Sequence, residues 1–375
     1  MAEGTADRAA PSTPAGAPPD RRPARIAALA VLAVLVALPW IAEAAGAPFW
    51  IDIATRALIF ALAAVSLDLI LGYGGMVSFG HAAFVGVGAY AVGVAFTHDF
   101  EGSTLFGLPG SVNAWVVWPA AAVAGGLVAA AVGAICLRTR GVYFIMITLA
   151  FAQMIYFLVT ALRRYGGDDG IALWGRSEIG FGLDLNDDRT FYFLCLALFA
   201  GFLWLARRMV RSRFGRILRG AKDNERRMRA LGHPVYRYKL VAFAIAGAAA
   251  GLSGALLANA TEYVGPAYLH WSRSGELIVM VVLGGMGTLI GPAIGAAALI
   301  LMEEWLPEAM NALQPGLGEH WQIVLGPILI LVVLYAPRGL WGLVAGRRAG
   351  GGGRPTPLAG LLGGEGPDGK ARRDD

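Results

Sequence analysis

The chain has 375 residues, of which 57% are hydrophobic and only 15% are charged, whereas a soluble domain carries about 25% charged residues. Several apolar runs approach the ~20 residues that a helix needs to cross a bilayer, so the composition predicts an all-α, polytopic integral membrane protein rather than a soluble enzyme. The net charge of +5 lies mostly in loops, as the positive-inside rule expects, and it does not indicate a nucleic-acid partner.

Hydrophobic spans account for most of the chain after residues 1–23, which are rich in Ala, Pro, Gly and Asp and are predicted to form a disordered tail. The first seven predicted spans cover about 26–45, 53–71, 79–97, 114–136, 142–162, 191–206 and 240–260. Cys136 and Cys195 fall in these apolar runs and are expected to be free thiols.

Residues 276–303 are too short for two full spans and too long for one. Helix-breaking residues interrupt the middle of this stretch, at Gly284, Gly285, Gly287, Gly291 and Pro292. We therefore predict two short half-spans that meet at a glycine-rich turn. A last span at about 321–336 and a Gly/Pro-rich tail at 343–375, also predicted to be disordered, bring the count to about ten segments.

The charged residues predict which loops lie on the same side of the membrane. The segments that carry the basic residues are the tails, the turn at Arg138 and Arg140, and the loop 207–239. The acidic or mildly acidic loops are 98–101, 163–190 and 303–319. The positive-inside rule then places both termini in the cytoplasm. This assignment of loops to alternate sides is consistent along the chain only if residues 276–303 cross the membrane twice, or dip into it and return to the same side.

The segment 211–239 is the longest charged stretch between two hydrophobic blocks, and its basic residues far outnumber its two acids. Its apolar residues recur at helical spacing, which predicts an amphipathic helix over 212–231. Ser212 is expected to cap the start, and Gly232 followed by Pro234 is a stop signal. The apolar face could meet a partner protein or rest on anionic lipid.

A glycine-rich run at 72–93 opens the third span. Its Gly74-Gly75-Met76 is weakly similar to Gly285-Met286 later in the chain. Paired glycine-broken segments are a sequence pointer to a transport pathway. We predict that this run lies against the pathway and packs near the 284–292 turn. The pathway candidates are Gly74, Gly75, Ser78, Gly80, His81, Gly284, Gly285, Gly287, Gly291 and Pro292.

Polar groups inside predicted spans have alternative interpretations. His81 is either a pathway group or a neutral histidine that bonds a backbone carbonyl to hold a broken helix. Asp68 is expected to pair with a nearby arginine or to cap the turn after its span. Gly247, Gly251 and Gly254 repeat at helical spacing and are expected to allow close helix packing.

Signatures of enzyme chemistry are not found in the sequence. It has no G-x-x-x-x-G-K-[ST] phosphate loop, no metal-ligand spacing and no nucleophile elbow. We therefore expect that the chain is not an enzyme and binds no cofactor itself.

Three blocks resemble the permeases of branched-chain amino acid ATP-binding-cassette (ABC) importers, most of all the LivM type. They are LGYGGMVSFGHAAFVGVGAY at 71–90, the loop and following span at 214–256, and VMVVLGGMGTLIGPAIGAA at 279–297. The blocks occur in the family's order, and the resemblance covers 26–342. It implies a permease domain over 24–342, with 211–239 as a cytoplasmic coupling loop.

The resemblance also implies partners and a location. The expected partners are a second permease subunit, two cytoplasmic ABC ATPases that use ATP, an extracytoplasmic substrate-binding protein and the lipid bilayer. The chain would be a multi-pass protein of the plasma (inner) membrane. The residues expected to dock on an ATPase are Phe214, Arg216, Leu218, Arg219, Asn224, Glu225, Arg226, Leu231 and Gly232. The sequence departs from the usual family pattern at 226–228 and 233–234.

Three further functions remain as alternatives. Urea and short-amide importers use closely similar permeases, so the resemblance identifies the type of transporter better than it identifies the substrate. An ion-coupled secondary transporter should carry acidic residues deep in several spans, whereas Asp68 is nearly alone here. A membrane scaffold would not need two broken segments.

Overall fold

The computed structural model describes residues 22–105, 107–180, 184–314, 316–335 and 339–344. Thirteen helices are found in these ranges: α1 Arg22–Ala44, α2 Phe49–Leu71, α3 His81–Phe100, α4 Ala114–Cys136, α5 Val142–Ala161, α6 Asp188–Arg211, α7 Arg213–Asp223, α8 Glu225–Ala230, α9 Val235–Thr261, α10 Trp271–Gly284, α11 Gly291–Leu313, α12 Gln322–Tyr335 and α13 Gly339–Val344. The predicted tails lie largely outside these ranges, but Arg22 and Pro23 begin α1 and Val344 ends α13.

Two short antiparallel strand pairs are the only strands in the described ranges. β1 (Thr104–Leu105) pairs with β2 (Leu108–Pro109), and β3 (Ile171–Ala172) pairs with β4 (Tyr263–Val264). The second pair joins the loop after α5 to the end of α9. The architecture is therefore an all-α membrane fold, as predicted.

Six of the described helices, α2 to α6 and α9, are long and apolar enough to cross a membrane. Their positions agree with the predicted spans because uninterrupted hydrophobic length determines both. The predicted and observed bounds of α4 coincide. The helix α9 begins five residues earlier than predicted, since the basic start of this helix continues the same backbone conformation before the apolar run.

The prediction for 276–303 is correct at the turn and at α10 but wrong for α11. α10 has 14 residues, or about 21 Å of helix, which is less than the ~30 Å hydrocarbon core. α11 instead has 23 residues and is no half-span. Pro292 lies in its first turn, where proline favours helix initiation, and the helix continues through Pro307 to Leu313.

Glycines bring α3, α4 and α9 into direct backbone contact. A Cβ atom at Gly88 on α3 would overlap the carbonyl of Gly251 on α9, and one at Gly125 on α4 would lie 2.6 Å from the Gly247 carbonyl oxygen. A Cβ at Gly254 would overlap the carbonyl of Val85. The glycines of α9 therefore serve close packing, as their spacing predicts.

The loops gather at two ends of the bundle. At one end, Lys222 reaches the carbonyl of Gly72, and Arg140 pairs with Glu225 at 3.4 Å. The turn between α10 and α11 lies at this same end, because it contacts the end of α2. At the other end β3 pairs with β4. This grouping matches the side assignment that the loop charges predict.

The basic segment forms two helices rather than the single one predicted. Asn224 has extended backbone angles between α7 and α8, and its Oδ1 accepts a hydrogen bond from the Arg227 amide at 2.9 Å. An asparagine side chain that bonds nearby backbone offers an alternative to helix continuation. Ser212 occupies the N-cap position of α7, as predicted, but its side chain makes no capping bond, since the hydroxyl donates to the Met209 carbonyl instead. Gly232 ends the segment with a φ of +82°.

Candidate functional site

The helix break at 72–80 is buried inside the bundle rather than exposed in a loop. Met76, Ser78 and Gly80 are buried, whereas Gly75 is exposed and has a φ of +67°. Backbone polar groups that leave a helix within a membrane must find partners in the protein or in a wet cavity. The break is therefore a candidate site whose hydrogen bonds can be followed one by one.

Hydroxyl groups satisfy the amides at the end of the break. The Phe79 amide donates to Thr148 Oγ1 of α5 at 3.3 Å, and the Ala82 amide donates to Ser274 Oγ of α10 at 3.0 Å. Ser78 bonds within the break, because its Oγ accepts from the Gly80 amide at 3.2 Å. The predicted pathway residues Ser78 and Gly80 thus hold the shape of the break.

His81 is fully buried at the start of α3. Its Nε2 lies 2.8 Å from the hydroxyl of Ser66 on α2, and its ring lies edge-on to Phe84. The partner is a hydroxyl group and not the backbone carbonyl that one interpretation predicted. Nδ1 has no hydrogen-bond partner among the described residues.

Asp68 joins the two glycine-rich breaks. Its Oδ1 accepts a hydrogen bond from the Gly287 amide at 2.7 Å, and a Cβ at Gly72 would lie 2.5 Å from the Gly287 nitrogen. Asp68 therefore caps a turn, but the turn is the one between α10 and α11 and not the predicted one after its own span. The structure also brings the break at 72–80 against the turn at 285–290, although these segments are distant in sequence.

The remaining pathway candidates shape the turns themselves. A Cβ at Gly74 would lie 2.6 Å from the Ile70 carbonyl oxygen, and one at Gly284 would overlap the Gly291 carbonyl. Gly285 and Gly287 have φ angles of +117° and +75°, where side chains are strained. These glycines and Pro292 therefore determine the backbone path, and their role in transport stays a prediction.

Four of the nine predicted docking residues make contacts within their own chain, although Arg219 and Asn224 also remain exposed. Leu218 is only 1% exposed, so it packs in the core and is unavailable for direct contact with a partner. Arg219 donates to the Val210 carbonyl at 3.0 Å, and Asn224 caps α8. Glu225 is held in an ion-pair cluster. For Leu218 the predicted docking contact is wrong, because α7 buries its apolar face against the bundle.

The other predicted docking residues remain accessible. Arg216, Arg226 and Gly232 are exposed, and Leu231 is 63% exposed. Phe214 is half-buried, with its ring 5.5 Å from that of Tyr238 on α9. The surface available to a partner is therefore mainly basic, with one exposed leucine.

The ion pairs of Glu225 fasten α8 to its neighbours. Its carboxylate lies 2.6 Å from Arg229, 3.1 Å from Lys239 and 3.4 Å from Arg140. Partial burial acts to raise the pKa of Glu225, but the Lys239 hydrogen bond and the three positive charges outweigh it and lower that pKa below its ordinary value. The cluster therefore contains a carboxylate that stays ionised at neutral pH.

A cavity that the sequence analysis missed lies among α2, α3, α9 and α10, with a volume of about 250 Å³. Its polar lining includes Arg56, Arg273 and Tyr268, and its apolar lining includes Phe60, Val85 and Leu257. A signal was present in the sequence, because Arg56 is a charged residue inside a predicted span. The other lining residues come from distant segments that only the fold brings together.

Metal chemistry has no evident site in the described part of the chain, where no group of three or more His, Cys, Asp or Glu side chains could hold an ion.

Comparison with known proteins gives a consistent family relationship. A family model described as the permease component of branched-chain amino acid transport systems matches residues 49–333. The high-affinity branched-chain amino acid transport permease LivM of Escherichia coli K12 is 28% identical over 339 residues, which cover 83% of this chain and 73% of that protein. LivM of Salmonella typhimurium is 27% identical over 340 residues, with the same coverage.

More distant similarity extends to the LivH protein. The high-affinity branched-chain amino acid transport permease LivH of Escherichia coli K12 is 24% identical over 297 residues, covering 76% of this chain and 91% of that protein. No solved structure matches the chain significantly.

Proposed function

The chain belongs to the family of branched-chain amino acid transport permeases and is a permease subunit of an ABC importer, and we propose that it forms the translocation pathway for branched-chain amino acids. The observation that supports branched-chain amino acids as the substrate is the similarity to LivM over 83% of the chain. The mostly apolar cavity beside α3 is compatible with a small aliphatic substrate.

The pathway would run along the start of α3 and the turn after α10. Both are places where glycine permits backbone shapes that a continuous helix does not have, and both are buried against each other. The amides of Phe79 and Ala82 at the end of the break are satisfied by hydroxyl groups, and the Gly72 carbonyl at its start accepts a hydrogen bond from Lys222.

The proposed partners follow from this assignment. A second permease subunit would complete the pathway, two cytoplasmic ATPases would bind and hydrolyse ATP, and an extracytoplasmic binding protein would deliver the substrate. The chain itself would bind no cofactor and catalyse no reaction. We place it in the plasma (inner) membrane with both termini in the cytoplasm, so that the exposed arginines of α7 and α8 face the ATPases.

Uptake by the complete reconstituted importer tests the proposal. Proteoliposomes that contain both permeases and the ATPases, supplied with the binding protein and internal ATP, should accumulate radiolabelled leucine, isoleucine or valine. An ATPase variant that cannot hydrolyse ATP is the matched control and should abolish uptake. Accumulation of urea or acetamide in place of these amino acids would contradict the proposed substrate, and uptake driven by an ion gradient without ATP would contradict the proposed mechanism.

A further inference from the structure

The cavity among α2, α3, α9 and α10 places an arginine at a site where a membrane helix would ordinarily carry an apolar side chain. Arg56 lies in the second turn of α2, in a helix whose next turns are almost entirely buried. Ionisable residues in membrane helices are costly and mark substrate or ion pathways by default. The position of Arg56 therefore calls for a negatively charged partner.

Arg56 forms no ion pair within the described part of the chain, although Asp52, one turn earlier on the same helix, lines a neighbouring cavity with it. No carboxylate in the described ranges lies within 4.0 Å of its guanidinium group, whereas the second arginine of the cavity, Arg273, is paired with Glu276 at 2.6 Å. The Tyr268 hydroxyl near the two arginines is already bonded to Thr261 at 3.0 Å. Arg56 is thus the charge in this cavity that remains available for a ligand.

The rest of the lining is aliphatic or aromatic. Phe60 and Ala63 come from α2, Val85 from α3, and Leu277 from α10. A volume of about 250 Å³ is below the ~300–1,000 Å³ of pockets for drug-sized ligands. An occupant of this cavity must therefore be small, and most of its surface must be apolar.

A wall of the cavity is the first turn of α3. Ala82 lines the cavity and directly follows His81, which is buried against α2. The amide of Ala82 is fixed by Ser274 of α10, so the cavity adjoins the helix break at 72–80. A ligand in the cavity would touch the segment that any opening of the break must move.

We propose that this cavity is a binding site for the transported amino acid, in which Arg56 binds the α-carboxylate and the apolar wall of Phe60, Val85 and Leu277 receives the aliphatic side chain. The guanidinium group suits a carboxylate because it can donate two parallel hydrogen bonds. This assignment rests on the proposed function, and it names the side chains that contact the substrate after the binding protein has released it.

The first test is leucine uptake by the complete importer in proteoliposomes. Arg56→Gln should lower uptake roughly tenfold or more, which is the effect of losing one charge-assisted hydrogen bond, and Arg56→Lys should recover part of it. Arg163→Gln is the matched control, since Arg163 is exposed in the loop after α5, and it should transport normally. Leucine uptake by the wild-type importer tests the proposed function by itself. Normal uptake by both the wild type and Arg56→Gln would contradict this inference and leave the proposed function intact.

The second test measures ligand binding directly and distinguishes the substrate from a lipid phosphate. Saturation-transfer NMR on the importer in dodecyl maltoside, without binding protein, should detect millimolar L-leucine but not leucinol, which lacks the carboxylate. The leucine signal should be lost in Arg56→Gln. Equal signals for leucine and leucinol, or an unchanged signal in the variant, would overturn the inference. Reduced uptake in liposomes with unchanged leucine binding in detergent would also overturn it and would assign Arg56 to a lipid headgroup.

A variant that keeps Arg56 covers the case in which Arg56→Gln does not fold. Phe60→Trp enlarges a half-buried side chain at the cavity wall, so it should reduce leucine uptake more than valine uptake. Equal effects of this substitution on the two substrates would count against the cavity as their binding site.

Discussion

The ammonium group of Lys222 on α7 donates a hydrogen bond to a backbone carbonyl of the helix break. The Nζ atom lies 2.7 Å from the Gly72 carbonyl oxygen, and the alkyl stem covers Gly75, where a Cβ would lie 2.9 Å from Lys222 Cγ. On the other side of Gly72, Asp68 binds the turn between α10 and α11. Lys222 thus connects the basic segment to the first break, and Asp68 connects the end of α2 to the second.

This connection predicts that Lys222→Met uncouples transport from ATP hydrolysis. Methionine keeps much of the apolar stem but leaves the Gly72 carbonyl without its donor, which costs about 1–3 kcal/mol for a buried group. We expect the ratio of leucine transported to ATP hydrolysed to fall several-fold in proteoliposomes. The control is Arg213→Met, an exposed residue of the same helix. If the ratio is unchanged for Lys222→Met, the contact does not transmit motion.

Glu225 shows how poorly the role of one residue can be predicted from an amphipathic pattern. The periodicity of 212–231 separates apolar from charged positions, but it does not indicate which charged positions the rest of the chain covers. Arg140 and Lys239, which bind Glu225, come from other parts of the sequence. The same limit applies to Arg56, whose position in a span was visible although the cavity around it was not.

At the scale of elements, α3, α4 and α9 act as one packed unit because glycine lets their backbones touch. Gly88→Leu should therefore strongly reduce the amount of folded protein, since its side chain would collide with the backbone of α9, and overpacking typically costs ~1–3 kcal/mol or more. Gly201→Leu on α6 is the matched control, because no atom lies within 4 Å of a Cβ there. Fluorescence-detected size-exclusion chromatography after heating compares the two.

The same experiment can contradict the packing argument. If both leucine variants have the same thermal midpoint as the wild type, the close approach of α3 to α9 is not important for stability. A loss of folded protein in Gly201→Leu alone would likewise contradict it.

The helices α7 and α8 present a basic surface whose role can be tested by charge reversal. Arg216→Glu combined with Arg226→Glu should weaken association with the ATPases and lower ATP hydrolysis several-fold, because charges at an interface rim govern encounter and register. Both residues are exposed, and Arg219 is left unchanged because its guanidinium group bonds its own backbone. Co-purification and ATPase assays measure the effect.

Two controls complete this experiment. Arg163→Glu, at the opposite end of the bundle, should leave association unchanged. Insertion of the double variant must be checked by protease protection, since these arginines also favour the cytoplasmic side. Normal association and hydrolysis in a correctly inserted double variant would favour a helix pair that rests on lipid.

For the whole molecule, hydrophobic length and loop charge were enough to predict the six long apolar helices of the described ranges and the grouping of the loops between them. The half-span predicted from 291 onward was wrong because residues 303–319 were predicted to be an acidic loop, whereas α11 continues through Glu303 and Glu304 to Leu313. The contacts among the two breaks and α7 were beyond sequence reasoning, since they depend on how helices from distant segments pack.

The side assignment of the loops leads to a labelling prediction. In a background without Cys136 and Cys195, both buried, a cysteine at Asp169 should react with a membrane-impermeant maleimide from outside the cell. A cysteine at Arg226 should react only after the membrane is permeabilised. Both positions are exposed, so access to the membrane side decides the result. The reverse pattern would invert the proposed topology.

The covered apolar face of α7 has a consequence for the biogenesis of the importer. The permease's own helices bury Ile217, Leu218 and Ala221. Most of the apolar face of α7 is therefore covered without any partner subunit. A newly inserted subunit therefore offers chaperones and quality-control proteases little adhesive surface there beyond Leu231. In the proposed assembly, this subunit is therefore expected to accumulate ahead of its ATPases, whose supply would then set the number of working importers in the cell.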